Sequence, residues 1–379
     1  MEFCGQGPRG KKPVSAAWRF RLPGGKSGRG CLPMKVRDLF FVGLFSLACK
    51  GNKPADFPIG NYVPPGGPAV VALVAVDGKV VYSGATGFAN IEKRIPAKLS
   101  HLFNMASVSK QFTAMAVLLL EAEGKIAASD SARKYIPELP KYAEKITIHH
   151  LLHHQGGLPA YENICGSEDA PMTNKNVTDF LAATKQPEFP AGTRYSYSNS
   201  GYVVLAEIVS RASGKAFADF MRERIFKPAG MKDTFMLNPG SLKKYRQNPV
   251  LGHYEEWTDG PYVFSGCDTL WGDGSVISHV ADLNQWFSAL HSRKLINEEW
   301  TQKYFTPSKI GDGPAYAYGL EKDETNGQTS WSHAGSWGGF ISYAVYYPSR
   351  AAWIVTMSNF DGFESAALTE ALSAAFLRN

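Results

Sequence analysis

Leu102-Phe-Asn-Met-Ala-Ser107-Val-Ser-Lys110-Gln-Phe-Thr-Ala-Met-Ala-Val-Leu-Leu-Leu120 joins a hydroxyl and an amine, three residues apart, to a long apolar run. The run is hydrophobic nearly all round, which predicts a buried helix rather than an amphipathic surface one. Residues three apart on a helix share a face, so Lys110 is expected beside Ser107 at the mouth of that helix. Desolvation there depresses the lysine pKa, and a neutral amine can take a serine proton. Two further Ser-x-x-Lys pairs, Ser131/Lys134 and Ser241/Lys244, lie in charged or proline-bounded stretches, where a solvated lysine is the plainer reading.

Two other segments carry groups that suit the same chemistry. Tyr197-Ser-Asn199 follows the turn Pro190-Ala-Gly-Thr193 and precedes the apolar segment Tyr202-Val-Val-Leu-Ala-Glu-Ile-Val209. A residue at such a loop–helix junction can face a cleft while the helix anchors it. A phenol near a lysine can relay a proton, and an asparagine amide can bind a substrate carbonyl or steady the lysine. Taken alone the stretch reads better as packing and a cap; beside Ser107 and Lys110 the catalytic reading prevails. A second copy, Tyr161-Glu-Asn163, follows the glycine- and proline-rich Gly156-Gly-Leu-Pro-Ala160 and is set aside as loop. Trp331-Ser-His333-Ala-Gly335-Ser336-Trp337-Gly-Gly-Phe340 reads as a short strand and a glycine turn, leading into the strand Ile341–Tyr347. Its glycines let backbone approach a ligand closely. The N–H groups of Ser336 and Ser107 could together hold an oxyanion.

With these segments in order, the chain resembles the serine β-lactamase and penicillin-binding-protein superfamily. The likeness is to its class C-like branch, with the D-Ala-D-Ala carboxypeptidases and β-lactamase-like carboxylesterases. It runs from about Ala69 to the C-terminus. Besides the motifs above it includes Ile146-Thr-Ile-His-His-Leu-Leu-His-His-Gln-Gly-Gly-Leu-Pro159 and Gly272-Asp-Gly-Ser-Val-Ile-Ser-His-Val-Ala-Asp-Leu283. The resemblance implies an α+β, two-lobe β-lactamase-like fold: an antiparallel sheet flanked by helices, plus an inserted, mostly helical lobe. It makes Ser107 the acylated nucleophile, Lys110 its amine partner and Tyr197 the general base or proton relay. Asn199, His333, Gly335, Ser336 and Trp337 fall on the substrate side. His154, in the Leu-Leu-x-His stretch, looks structural. No cofactor and no metal is implied.

The third motif departs from the Lys-Thr-Gly usual in the superfamily's β-lactamases. His333 stands for the lysine and Ala334 for the threonine, so a neutral imidazole and a methyl replace the cation and hydroxyl that grip a drug carboxylate. Trp331 and Trp337 are expected to add apolar surface at the rim. Both changes favour small carboxylic esters or amides, the substrates of a β-lactamase-like carboxylesterase. The alternatives are a class C-type β-lactamase, a D-Ala-D-Ala carboxypeptidase or D-aminopeptidase, and a non-catalytic penicillin-binding sensor.

The net charge of +6 misleads, because residues 1–50 hold ten Lys/Arg and two acids while residues 51–379 hold thirty bases and thirty-two acids. The body is near neutral and offers no basic stripe for nucleic acid. Met34-Lys-Val-Arg-Asp and Leu39-Phe-Phe-Val-Gly-Leu-Phe-Ser-Leu-Ala48 have the charged start and short apolar core of an export leader. Residues 1–33 read as an unstructured extension, 34–50 as the leader and 51–67 as a linker. Cys49 resembles a bacterial lipoprotein processing site, so a bacterial envelope location with a lipid tether at Cys49 is expected. Cys165 and Cys267 could pair or stay free.

The domain is expected over 68–379, with 68–128 and 300–379 in the sheet lobe and 129–299 in the helical lobe. Asp77-Gly78 predicts a hairpin between 69–76 and 79–83, and a second hairpin is expected over 340–357, followed by a terminal helix, 364–377. Other hydrolase classes fit poorly: no serine lies in G-x-S-x-G. The quartet His149, His150, His153 and His154 lacks H-E-x-x-H and a completing ligand set.

Overall fold

The apolar stretch 69–76 and the stretch 352–357, apolar but for Thr356, pair with one another inside a sheet. The computed structural model describes residues 57–165, 170–254, 260–262, 264–325 and 328–377. The expected extension, leader and Cys49 tether, and the linker up to residue 56, lie outside the described residues. Strands β1 (Val70–Val76) and β2 (Lys79–Thr86) form the expected hairpin, with Asp77 and Gly78 both left-handed at φ 50° and 72°, as a two-residue hairpin turn of that hand requires. Short strands β3 (Phe88–Asn90) and β4 (Ile95–Pro96) pair together, and β5 (Phe103–Asn104), β6 (Phe235–Met236) and β7 (Val276–Ser278) form a second small sheet. From the C-terminal part come β8 (Ala315–Tyr316), β9 (Glu321–Thr325), β10 (Gln328–Trp337), β11 (Phe340–Tyr347) and β12 (Ala352–Ser358). The main sheet is antiparallel, in the order β2-β1-β12-β11-β10-β9-β8.

Both faces of β1 and β12 are buried, which explains their continuous rather than alternating apolar sequence. On one face Val70, Ala72, Val74 and Ile354 pack with Leu368 and Leu372 of the terminal helix Ser365–Phe376. On the other, Val71, Leu73, Val355 and Met357 join the large core that holds the helix Lys110–Ala122. Every residue of that helix from Lys110 to Leu120 is buried, as its all-round apolar sequence predicts. Phe112 lies between Trp286 and Phe226, with ring centroids 4.6 and 5.6 Å away.

Helices Asn174–Ala182, Asn199–Ser213, Val280–His291 and Glu298–Tyr304 come from the middle of the chain, where helical periods and Pro/Gly loops dominate. Cys165 and Cys267, whose pairing the sequence leaves open, form a disulfide that spans 102 residues. Among the described residues no helix is long and apolar enough to cross a membrane.

Because Phe112 seats the helix that carries the site, Phe112→Ala should cost about 3–5 kcal/mol, as truncation of a fully buried aromatic does. The drop in midpoint on chemical denaturation measures it.

Candidate active site

Ser107 lies in one turn of 3-10 helix, Ala106–Ser109, that runs directly into Lys110–Ala122. The α-helix thus begins at Lys110, and the tighter turn before it has Ala106 left-handed (φ 45°), its N–H accepted by Asn104 Oδ1 at 2.8 Å. Side chains at i and i+3 nearly eclipse in such a turn, so Lys110 still faces Ser107.

Lys110 is 0 % exposed. Its Nζ donates to Ser107 Oγ at 3.0 Å, Asn199 Oδ1 at 2.7 Å and the Asp273 main-chain oxygen at 2.8 Å. Three acceptors match the three N–H bonds of an ammonium. Burial pulls the lysine pKa down to about 8, against the opposing pull of the Asp273 and Glu162 carboxylates. Once neutral, the amine keeps two N–H bonds for Asn199 and Asp273 and can turn its lone pair to Ser107.

Each acceptor is placed by local structure. Asn199 opens the helix Asn199–Ser213, whose cap Ser198 accepts the Gly201 N–H at 3.1 Å. Its Nδ2 donates to Glu162 Oε1 at 2.7 Å, so the amide spans from carboxylate to lysine. The Asp273 carbonyl reaches Lys110 because Gly272 (φ 111°) lies flat against Tyr202; a Cβ there would come within 2.1 Å of the Tyr202 oxygen. Thr113 donates to the Gly272 carbonyl at 2.6 Å and ties this loop to the Lys110 helix.

Tyr197 stands at the cleft wall, 40 % exposed, with Lys110 Nζ 4.8 Å from its ring centroid. One side of the ring meets solvent, but the hydroxyl end lies against Ser107; desolvation there raises the phenol pKa well above 10, and the Ser107 hydrogen bond partly counters that. His154 stacks beneath it at 4.2 Å, and its Nδ1 accepts the Ser198 N–H at 3.0 Å. Burial, then the Lys110 charge, keep His154 neutral. It has no hydrogen bond to Ser107 or Lys110 and orients the Tyr197-Ser198 segment.

The third motif is split between two depths. His333 is 6 % exposed; its Nδ1–H donates to the Ala334 carbonyl at 2.6 Å, leaving Nε2 to accept from the Tyr316 hydroxyl at 3.0 Å. Burial, then Lys110, lower its pKa to about 3, so it is a neutral group below the cleft surface. Gly335 is where β10 meets the Ser107 turn: an added Cβ would sit 2.4 Å from the Met105 oxygen and 3.0 Å from the Ser107 nitrogen. β9 pairs with β10 only as far as Ser332, which leaves this edge of β10 to the Ser107 turn. Ser336 and Trp337 line a cavity of about 30 Å³ with Ser107, Asn199, Tyr161 and Asp273. Trp331, expected at the rim, is instead buried against Phe305 at 5.2 Å, at the end of β10 away from the Ser107 turn.

The segment set aside as loop is part of the site. Tyr161 is buried, and its hydroxyl donates to Asp273 Oδ2 at 2.7 Å; Glu162 takes the Asn199 amide. The only sequence signal was the repeated Tyr-x-Asn pattern. Desolvation, opposed by Lys110, raises the Asp273 pKa to about 6. Among the described residues the histidine quartet forms no ligand set: His149 packs on the His153 ring at 4.2 Å, His150 bonds the Thr147 N–H, His153 the His149 carbonyl and His154 the Ser198 N–H. Among the described residues, Asp233, His279 and Asp282 have ligand atoms within 4.8 Å of one another. Thr234 and the Asp233 N–H occupy Asp282 Oδ2, and His279 caps the helix Val280–His291.

The family model described as Beta-lactamase matches residues 64–377. Penicillin-binding protein 4* of Bacillus subtilis (strain 168) is 31% identical over 306 residues, 76% of this chain and 67% of that protein. A D-aminopeptidase of Gluconobacter oxydans (strain 621H) is 27% identical over 85% of this chain, which spans only 60% of that relative's length. The crystal structure of a penicillin-binding protein from Bacillus halodurans superposes with a TM-score of 0.70 at 26% identity, covering 80% of this chain and 95% of that one.

Since Gly335 admits no side chain against the Ser107 turn, Gly335→Ala should displace that turn. Labelling of Ser107 by a fluorophosphonate, followed by mass spectrometry, should slow roughly 10²-fold, the scale of an ångström-sized misplacement, while circular dichroism stays unchanged.

Proposed function

This chain belongs to the Beta-lactamase family, and from that premise we propose that it is a serine hydrolase acting on small carboxylic esters or amides through an acyl-enzyme. The observation that carries the reading is the buried Lys110 amine, 3.0 Å from Ser107 Oγ and held by two further acceptors.

Neutral Lys110 takes the Ser107 proton as Oγ attacks the carbonyl. The N–H groups of Ser107 and Ser336, on facing segments of the same cavity, hold the oxyanion. Tyr197, whose hydroxyl lies against Ser107, relays the proton to the leaving group and assists the water that cleaves the acyl-enzyme.

The lining bears on substrate. Beyond Ser336 and Trp337 lies a cavity of about 470 Å³ walled by Tyr254, Tyr262 and Phe264, which suits an aryl or acyl group. Among the described residues that line the two cavities there is no lysine or arginine, whereas Asp273 and Asp361 are there. With His333 neutral and buried, the third motif offers a β-lactam carboxylate no cation, so a neutral ester or an amine-bearing amide fits better. The D-aminopeptidase relative supports the amide as second reading. Export of the protein is part of the proposal; the Cys165–Cys267 disulfide supports it, since such bonds persist in oxidising compartments.

Hydrolysis of p-nitrophenyl butyrate, D-alanine p-nitroanilide and a chromogenic cephalosporin tests the reading. Ester or anilide turnover should greatly exceed cephalosporin opening; the reverse order would make the protein a β-lactamase. Ser107→Ala should abolish turnover, and Tyr197→Phe should lower kcat/KM at least ~10²-fold. Because the base must be the neutral amine, kcat/KM should rise with pH through about 8.

A further inference from the structure

Two carboxylates, Glu162 and Asp273, surround one lysine. Asn199 takes Lys110 on Oδ1 at 2.7 Å and gives Nδ2 to Glu162 at 2.7 Å, making a rigid bridge from one carboxylate to the amine. Asp273 gives its main-chain oxygen to Lys110 at 2.8 Å, while Tyr161 holds its carboxylate at 2.7 Å. Glu162 Oε2 and Asp273 Oδ1 are buried without a hydrogen-bond partner. Burying more negative charge than the hydrogen bonds satisfy is costly, and the helix, the 3-10 turn Tyr161–Ile164 and the Gly272 loop all converge to do so.

We propose that Glu162 and Asp273 are positioning residues that hold Lys110, through the Asn199 amide and the Asp273 carbonyl, poised between ammonium and amine. The proposal rests on the reading of Lys110 as the base for Ser107. That base must accept a proton and return it within each cycle, which works best when its proton affinity matches the working pH. Burial alone would empty the lysine of its proton, and the carboxylates restore the balance.

The other titratable groups around Lys110 do not supply this charge. Tyr202 and Tyr161 are buried phenols and the Tyr197 hydroxyl is desolvated against Ser107, which keeps all three protonated; burial first, and then the Lys110 charge, keep His154 and His333 neutral. The carboxylates are therefore the anions that act on Lys110.

Asp273→Asn and Glu162→Gln remove charge while keeping shape, and the Asp273 carbonyl is untouched. Two readouts follow the base as pH varies: the acylation burst with p-nitrophenyl acetate, and the ε-13C lysine signal that Lys110→Arg deletes. Each variant should lower the midpoint by about half a pH unit or more, the scale of a neighbouring charge, and the double variant should lower it further. Glu162→Asp and Asp273→Glu should restore most of the shift, which a merely structural role would not do. Unmoved midpoints in both variants, with acylation intact, would overturn the carboxylate role and leave the hydrolase reading standing. A shifted lysine signal with no acylation at any pH would remove the hydrolase reading instead. If Asp273→Asn fails to fold, Glu162→Gln alone decides the question.

Discussion

A lysine without solvent exposure must find three acceptors or lose its proton, and in this chain the three come from places far apart in sequence. Ser107 is one turn away, Asn199 is 89 residues on and Asp273 another 74 beyond it. No local structure can satisfy that demand. The left-handed Ala106, the side-chain-free Gly272 pressed on Tyr202, the Thr113 bond to the Gly272 carbonyl and the His154 bond to Ser198 each fix one approach. They are individually ordinary. Together they let an amine be buried beside a hydroxyl, where its desolvation becomes reactivity.

What the sequence made legible were features with short-range causes. The Asp77-Gly78 turn dictates its own hairpin, the all-round apolar run dictates a buried helix, and a three-residue spacing puts Lys110 on Ser107 in either kind of helical turn. Where a contact depends on long-range approach, local pattern gave the wrong weight. Tyr161-Glu was passed over because its glycine- and proline-rich surroundings read as loop, yet its partner is Asp273, 112 residues away. A tryptophan beside a motif suggests lining, but Trp331 shares its face of β10 with Trp337 and is covered by Phe305, while Trp337, six residues on, reaches the cleft. His333 illustrates the middle case. Its neutrality followed from residue type, whereas its depth below the surface came from Tyr316, on a short edge strand that periodicity does not mark.

The disulfide joins these two kinds of feature. Cys165 lies three residues after Glu162, and Cys267 precedes Asp268, whose Oδ1 takes both the Trp337 indole N–H at 2.5 Å and the Tyr262 hydroxyl at 2.9 Å. One covalent bond therefore connects the segment that supplies the acidic support of Lys110 to the segment that fixes the aromatic wall. A cross-link closing a loop of 102 residues restricts the unfolded chain strongly in the chain-entropy account. Its position matters as much as its length. The Tyr161–Ile164 turn is a single turn of 3-10 helix with few bonds of its own, and Asp273 sits in a loop; neither would hold a carboxylate against the cost of burial unaided. The disulfide holds the turn to the segment that leads into Asp273, and the Tyr161 hydroxyl bonds the Asp273 carboxylate directly at 2.7 Å, so each weak element braces the other where the charge is buried.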